Sequence, residues 1–333
     1  MLREFGSSMF ACHLAMGLAI LVLGLPSAFA ETTRAQKPGL LILNHGSPAP
    51  SWNKALTELT EKVAALNAEK KTFHAVATAM LEFSPMDAAA GIEALESAGC
   101  DKIIVVPIFV GPNSHSLFDV PAVLGLYSSP ATRKALAEEN IRSAAPRVPV
   151  TVTQTMSEGD LLDWYVAREV LTLSQNPKEE AVLLIAHGSE DHGAIIDKIM
   201  SRLLVRACGS SGITAGQVAY CKVGQTYQQN VIPAICELSE QKKRVLIIGV
   251  YLATSAKTLH ERAAARTDTS PTQSAANPHV HDHAHDHAHE HEHHHHGHDF
   301  TCLEGMDVRF SEKGVIDHPK TPEWILQTGS DAL

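Results

Sequence analysis

Several sequence features that would identify a common function are absent. There is no Gly-x-Gly-x-x-Gly stretch and no Walker loop, which counts against a generic sugar- or nucleotide-binding α/β protein. There is no Cys-x-x-Cys pair, which counts against a zinc site built from thiolates. Acidic residues outnumber basic ones, 37 to 27, and no basic stripe exists to neutralise phosphates, which counts against nucleic-acid binding. After residue 30, no apolar run is long enough to cross a bilayer.

The first 30 residues have the pattern of a secretory signal peptide. Arg3 provides a weakly basic start, residues 14–25 are apolar, and Ala28-Phe29-Ala30 fits a cleavage site. We therefore predict an exported, periplasmic protein cut after Ala30; the alternative, a membrane anchor, has too short an apolar stretch. Export would allow a disulfide, although an odd number of cysteines leaves at least one thiol free or intermolecular. The five remaining cysteines are Cys100, Cys208, Cys221, Cys236 and Cys302.

What the sequence does contain is a doubled pattern. An apolar run ending in His-Gly-Ser opens each half of the chain, at residues 40–47 and 182–189. In both halves a second apolar run and a second histidine follow after a similar interval. The pairs are His45 with His115 and His187 with His260.

Strand and helix patterns alternate in both halves, which predicts parallel sheets flanked by helices. With 333 residues, 44% of them hydrophobic, the chain is long enough for two domains. The predicted fold class is α/β, with two similar lobes. A polar lead-in over 31–37 precedes an N-terminal lobe over 38–177 and a C-terminal lobe over 178–333. One helix of the first lobe is predicted to begin at Ser84-Pro85, because proline suits a first turn.

Three polar residues of the first half follow predicted strands, where ligands of such sheets bind. His45 and His115 would place two imidazoles across one cleft, suited to a borderline transition metal or to proton transfer. Glu82 would face the same cleft, as a metal ligand or proton acceptor. The alternatives are a structural polar residue at a strand end for His45 and a solvated charge near a helix start for Glu82.

These motifs together resemble the class II tetrapyrrole chelatases, and most closely the sirohydrochlorin cobaltochelatases. The motifs are His-Gly-Ser after the first strand, Leu-Glu-Phe-x-Pro after the second, and Val-Val-Pro-x-Phe with a later histidine after the third. The resemblance implies two α/β lobes facing a tetrapyrrole cleft and metal insertion without nucleotide or organic cofactor. It also implies that His45 and His115 bind the metal and assist deprotonation, with Glu82 helping in both roles. Co²⁺ is the expected metal, with Ni²⁺ and Fe²⁺ as alternatives.

The second half departs from this pattern. Residues 222–225, which align with the Glu82 segment, read Lys-Val-Gly-Gln and contain no acid. We therefore expect one active centre, built mainly from the first half, with His187 and His260 as a relict pair or a secondary metal site.

A histidine-rich segment interrupts the second half within residues 267–298. It is predicted to be a flexible insertion that binds several metal ions and supplies metal to the cleft, with a solvated spacer as the alternative. Its histidines are His279, His281, His283, His285, His287, His289, His291, His293, His294, His295, His296 and His298.

The sequence thus predicts an exported chelatase whose partners are a sirohydrochlorin-like tetrapyrrole and divalent metal ions. A homo-oligomer is compatible with the sequence but is not required by it. The rival hypothesis is a periplasmic metal- or haem-binding or transport protein that retains the chelatase fold. Turnover distinguishes the two, because a binding protein takes up its ligand stoichiometrically.

Overall fold

The computed structural model describes residues 36–267 and 300–333, apart from 114, 128, 190 and 223–225. Two parallel four-stranded sheets form within this part of the chain. The first has the order β2-β1-β3-β4 and the second the matching order β6-β5-β7-β8. The strands are β1 (Pro38–Asn44), β2 (Ala75–Met80), β3 (Lys102–Pro107), β4 (Val150–Val152), β5 (Glu180–Ala186), β6 (Ala215–Tyr220), β7 (Arg244–Val250) and β8 (Asp307–Phe310).

Helices cover both faces of each sheet, which confirms the predicted duplicated α/β fold. They are α1 (Pro50–Lys70), α2 (Ala88–Ser97), α3 (Val120–Val123), α4 (Pro130–Glu138), α5 (Leu161–Leu173), α6 (Gly193–Ser211), α7 (Ile232–Gln241), α8 (Ala256–Thr267) and α9 (Thr321–Ser330). Single π-helical turns at His115–Asp119 and Tyr227–Val231 precede α3 and α7. No described helix is both long and apolar enough to span a membrane.

The apolar runs of the central strands are buried on both faces. Every residue of β1 and of β5 is buried. Because side chains alternate along a strand, Leu40 of β1 enters a core shared by both lobes, whereas Leu41 enters an outer core of the first lobe. A separate outer core lies on the far face of the second sheet. Burial on both faces explains why these runs lack polar alternation.

One helix from each half of the chain packs against the sheet of the other half: α5 against the second sheet and α9 against the first. Tyr165 of α5 donates a hydrogen bond to the carbonyl of Gly249 in β7, at 2.7 Å. In return α9 packs on the first lobe, where Gly329 lies so close to Leu40 that an added Cβ would approach its Cδ1 to 2.9 Å. The helix packing therefore joins segments from both sides of residue 177.

One helix start differs from the prediction. Helix α2 begins at Ala88, not at Ser84-Pro85, and the Asp87 side chain caps it by accepting a hydrogen bond from Ala90 N at 2.7 Å. Residues 81–86 form a loop instead, closed by Met80 N donating to Met86 O at 2.9 Å. Aspartate is a strong N-cap, and placing the helix start after it leaves Glu82 in a loop at the strand end.

The cysteines differ in their oxidation state. Cys236 is disulfide-bonded. Cys100 and Cys208 are free thiols, and burial raises the pKa of each. The predicted signal peptide over 1–30 and the histidine-rich segment over 268–298 lie outside the described residues.

Candidate metal centre

Three side chains meet beyond the carboxyl edge of the first sheet. His45 directly follows β1, Glu82 lies in the loop after β2, and His115 opens the π-helical turn after β3. The Nε2 atoms of the two histidines are 3.1 Å apart, and His45 Nε2 lies 3.6 Å from Glu82 Oε1. One potential ligand atom from each residue lies within 4.8 Å of the others, and no other such group of three or more occurs among the described residues.

A buried amide and a glycine fix the approach of the two loops. Asn44 is fully buried, donates to Ala79 O at 3.0 Å and accepts from Gly46 N at 2.9 Å. Glu82 N donates to His45 O at 2.9 Å. Gly46 has φ +89°, and a Cβ there would lie 2.1 Å from the Glu82 carbonyl oxygen. Only glycine fits this position, so the Gly of the His-Gly-Ser motif holds His45 and Glu82 together.

The outer nitrogens of both imidazoles face acceptors. His45 Nδ1 lies 3.0 Å from Gly46 O, and His115 Nδ1 lies 2.8 Å from Asp119 Oδ2. Each Nδ1 therefore carries hydrogen, which leaves the Nε2 lone pairs pointing at each other. Two bare lone pairs repel at this separation, so one proton or one metal cation between them satisfies both. The pair is thus arranged to exchange a proton for a metal ion.

Asp119 is a functional candidate that the sequence analysis missed. It orients His115 in the way that carboxylates orient metal-bound histidines in many proteins. The available signal was the spacing His-x-x-x-Asp, which places both residues on one side of a helical turn. No helix was predicted there, so the spacing carried no weight.

The environment separates the proton affinities of the three groups. Burial, reinforced by the neighbouring His115, lowers the pKa of His45 to about 4. Burial alone would lower the pKa of His115, but its hydrogen bond to Asp119 and the nearby carboxylates raise it overall. Burial raises the pKa of Glu82, against the opposing effect of His115. The proton of the metal-free pair therefore resides on His115, and His45 is neutral near pH 7.

These pKa shifts predict how metal binding depends on pH. Because the metal must displace the His115 proton, Co²⁺ affinity should fall about tenfold per pH unit below the raised pKa of His115 and level off above it. Asp119→Asn removes the carboxylate that raises the pKa of His115. In this variant the pH range over which Co²⁺ affinity is constant should therefore extend to lower pH. Calorimetric titration of a variant lacking residues 279–298 measures both. Affinity independent of pH between 5 and 8 would contradict this account of the pair.

The second lobe repeats only part of this arrangement. His187 follows β5 as His45 follows β1, and its Nδ1 lies 3.1 Å from Gly188 O. His260 lies on α8 among three aromatic rings, and its Nδ1 is 3.2 Å from the Tyr227 hydroxyl. Within the described part of the chain, neither residue belongs to a group of three metal-binding side chains.

The structure thus does not join His187 and His260 into a metal site like that of the first lobe. Residues 223–225, part of the segment aligned with Glu82, lie outside the described residues, as do all twelve histidines of residues 279–298.

Comparison with known sequences agrees with the first-lobe motifs. The family model described as CbiX matches residues 39–170. The sirohydrochlorin cobaltochelatase of Methanococcus maripaludis is 33% identical over 88 residues, which are 26% of this chain and 58% of that relative. The enzyme of the same name from Saccharolobus solfataricus is 26% identical over 118 residues, 35% of this chain and 81% of that relative. The chain therefore spans less than two thirds of the Methanococcus relative.

Solved structures extend the similarity to both lobes. SirB from Bacillus subtilis with Fe³⁺ superposes with a TM-score of 0.57 at 14% identity, over 88% of this chain and 94% of that one. The sirohydrochlorin chelatase SirB of Bacillus subtilis subspecies spizizenii, in complex with cobalt, gives 0.54 at 12% identity, over 89% and 95%. The fold is therefore that of the two-lobed chelatases. Together with the CbiX match, it confirms the resemblance to the class II chelatases that the motifs indicated.

Proposed function

We propose that this protein inserts a divalent metal into sirohydrochlorin or a closely related tetrapyrrole, without nucleotide, at the centre formed by His45, Glu82 and His115. The observation that carries the proposal is the convergence of two imidazoles and one carboxylate within 4.8 Å at the strand ends of a chelatase fold. The names of the CbiX-type relatives support the substrate class.

The three residues match the chemistry that insertion requires. A metal replaces two pyrrole N–H protons, so the site must hold the cation and accept protons. The facing Nε2 atoms of His45 and His115 provide two nitrogen ligands, which leaves most of the coordination sphere for the macrocycle. Glu82 Oε1 lies 3.6 Å from His45 Nε2, so a macrocycle held over the histidine pair would have this carboxylate beside it as a proton acceptor. The raised pKa of the Glu82 carboxyl suits it to hold a proton. As the metal leaves, His115 regains its proton.

Cobalt is the metal we propose, with nickel and ferrous iron as alternatives. Two imidazoles and a carboxylate are suitable ligands for all three ions. The general order of affinities among divalent metals does not by itself select one of them. The proposal for cobalt rests on the names of the curated relatives.

We further propose that the protein acts after export, following cleavage after Ala30. The signal-like N-terminus supports this, and so does the disulfide-bonded Cys236, since disulfides persist mainly in oxidising compartments. Mass spectrometry of protein recovered from the periplasm should then find Glu31 as the first residue. Recovery of uncleaved chain from the cytoplasm alone would contradict export.

We propose that the histidine-rich segment gathers metal for the centre. Deleting residues 279–298 should then raise the Co²⁺ concentration needed for half-maximal insertion, while the rate at saturating Co²⁺ stays unchanged. A variant with the same histidines replaced by serine keeps the length of the segment and separates metal binding from spacing. An unchanged metal dependence in both variants would exclude the delivery role.

The proposed activity is tested by turnover. Purified residues 31–333 are incubated anaerobically with sirohydrochlorin and Co²⁺, and the absorbance spectrum is followed against a protein-free control. We expect many equivalents of cobalt-sirohydrochlorin per protein molecule. Parallel reactions with Ni²⁺ and Fe²⁺ rank the metals. Uptake of metal or tetrapyrrole that stops at stoichiometric amounts would favour the periplasmic binding protein instead.

A further inference from the structure

Phe83, an aromatic residue beside the metal centre, has a backbone conformation that bulky residues rarely adopt. Phe83 has φ +58°, in the left-handed region, and its side chain is 49% exposed. Its ring centroid lies 6.2 Å from that of His45, with the two planes tilted by 34°. Bulky residues rarely adopt positive φ, and such strain persists mainly where the surrounding structure enforces it, often at functional positions.

The loop around Phe83 explains how this conformation is enforced. The preceding residue, Glu82, donates its N–H to His45 O at 2.9 Å, beside the close approach of Gly46. On the other side, Met86 N donates to Ser84 Oγ at 3.1 Å, and Met86 O accepts from Met80 N. Hydrogen bonds of the residues before and after Phe83 therefore fix its backbone, while its ring stays outside the core. Folding alone gains little from an exposed phenyl group there.

The position of the ring relative to the metal ligands identifies what covers it. A metal passes from His45 and His115 to pyrrole nitrogens only if the macrocycle lies directly over the two Nε2 atoms. A ring of four pyrroles extends well beyond the imidazole beneath its centre, so it must also cover the neighbouring Phe83. Leu117 and Phe118, in the π-helical turn that begins at His115, are also 43% and 46% exposed.

We infer that Phe83 is a platform for the tetrapyrrole: its phenyl face packs against the macrocycle and holds it over the His45–His115 pair. This inference rests on the proposed function. It makes Phe83 a substrate-binding residue with no part in holding the metal. Burial of the Phe83 ring against the macrocycle is the main source of the binding energy that we expect from this contact.

The test compares three variants of the full chain. Phe83→Gly removes the ring and tolerates the positive φ, so the fold should stay intact. Phe83→Tyr keeps an aromatic face and should retain nearly normal binding. Lys71→Gly, at the left-handed C-cap of α1 (φ +56°), is the matched control for relieving the same backbone strain away from the centre.

Two quantities separate macrocycle binding from metal binding. Sirohydrochlorin Kd, from fluorescence titration, should rise about 10- to 100-fold in Phe83→Gly, as expected for losing a buried aromatic contact. The Co²⁺ concentration for half-maximal insertion at saturating tetrapyrrole should stay within twofold. A Kd within twofold of wild type in Phe83→Gly would overturn the inference, as would a parallel rise in the Co²⁺ requirement. Tetrapyrrole binding by the wild type without turnover would overturn only the proposed activity, and absence of binding would overturn both.

Discussion

Replacing either His45 or His115 by alanine is expected to abolish metal insertion. The two Nε2 atoms are 3.1 Å apart. In the proposed mechanism they bind one cation between them, so each substitution leaves a single imidazole to hold it. Loss of an outer partner of a metal ligand typically costs about 10- to 100-fold in affinity or activity, so loss of a ligand itself should cost more than about 100-fold. The measurement is the initial rate of cobalt-sirohydrochlorin formation at saturating substrates.

The control for these variants is another histidine of the same lobe. His74 is exposed at the start of β2, away from the metal centre, and its Nε2 contacts Ala98 O. His74→Ala should insert metal at the wild-type rate, and all three variants should unfold at about the wild-type temperature, since both ligands are partly exposed. Near-normal turnover in both His45→Ala and His115→Ala would remove the proposed mechanism.

Gly46→Ala is expected to damage both the fold and the centre. A left-handed conformation costs a non-glycine residue about 1–2 kcal/mol. The new Cβ would also lie 2.1 Å from the backbone oxygen of Glu82, which cannot swing away as a side chain could. Overpacking of this kind adds about 1–3 kcal/mol. The free energy of unfolding should fall by the sum, and Co²⁺ affinity should fall as well because His45 and Glu82 are forced apart.

Gly99→Ala isolates the first of these two effects. Gly99 has nearly the same φ, +86°, but a Cβ there would meet nothing within 4 Å. Urea titration should therefore show a loss of about 1–2 kcal/mol in Gly99→Ala and a clearly larger loss in Gly46→Ala. Co²⁺ binding should weaken only in Gly46→Ala. Equal losses of stability and unchanged metal binding in both variants would show that the close approach is not needed.

The sequence was sufficient to predict the sheets and the three converging residues. The apolar runs fix strands buried on both faces, and parallel connection brings the carboxyl ends of β1, β2 and β3 to one edge. The order β2-β1-β3 then sets His45 between the loops that carry Glu82 and His115. Residues that follow adjacent strands must meet, and no side-chain detail is needed for that step.

What the sequence could not predict depends on contacts between distant segments. The packing of α5 and α9 on the sheet of the other half cannot be read from local sequence. An amphipathic pattern shows that one face of a helix is buried, but it does not show which sheet covers that face. His260 was grouped with His187 from spacing alone, yet its surroundings come from Phe300 and Phe310, beyond the histidine-rich segment. Phe83 and Asp119 owe their positions to a strained loop and a π-helical turn, which periodicity does not reveal.

We expect a single metal ion to bind between His45, His115 and Glu82. X-ray absorption of one equivalent of Co²⁺, bound to protein lacking residues 279–298, reports the ligands of that ion. We predict a first shell that contains two imidazole nitrogens and a carboxylate oxygen, with the imidazole signal halved in His115→Ala and unchanged in His187→Ala. An identical spectrum in wild type and in a variant lacking both His45 and His115 would contradict the account, because the metal would then bind elsewhere.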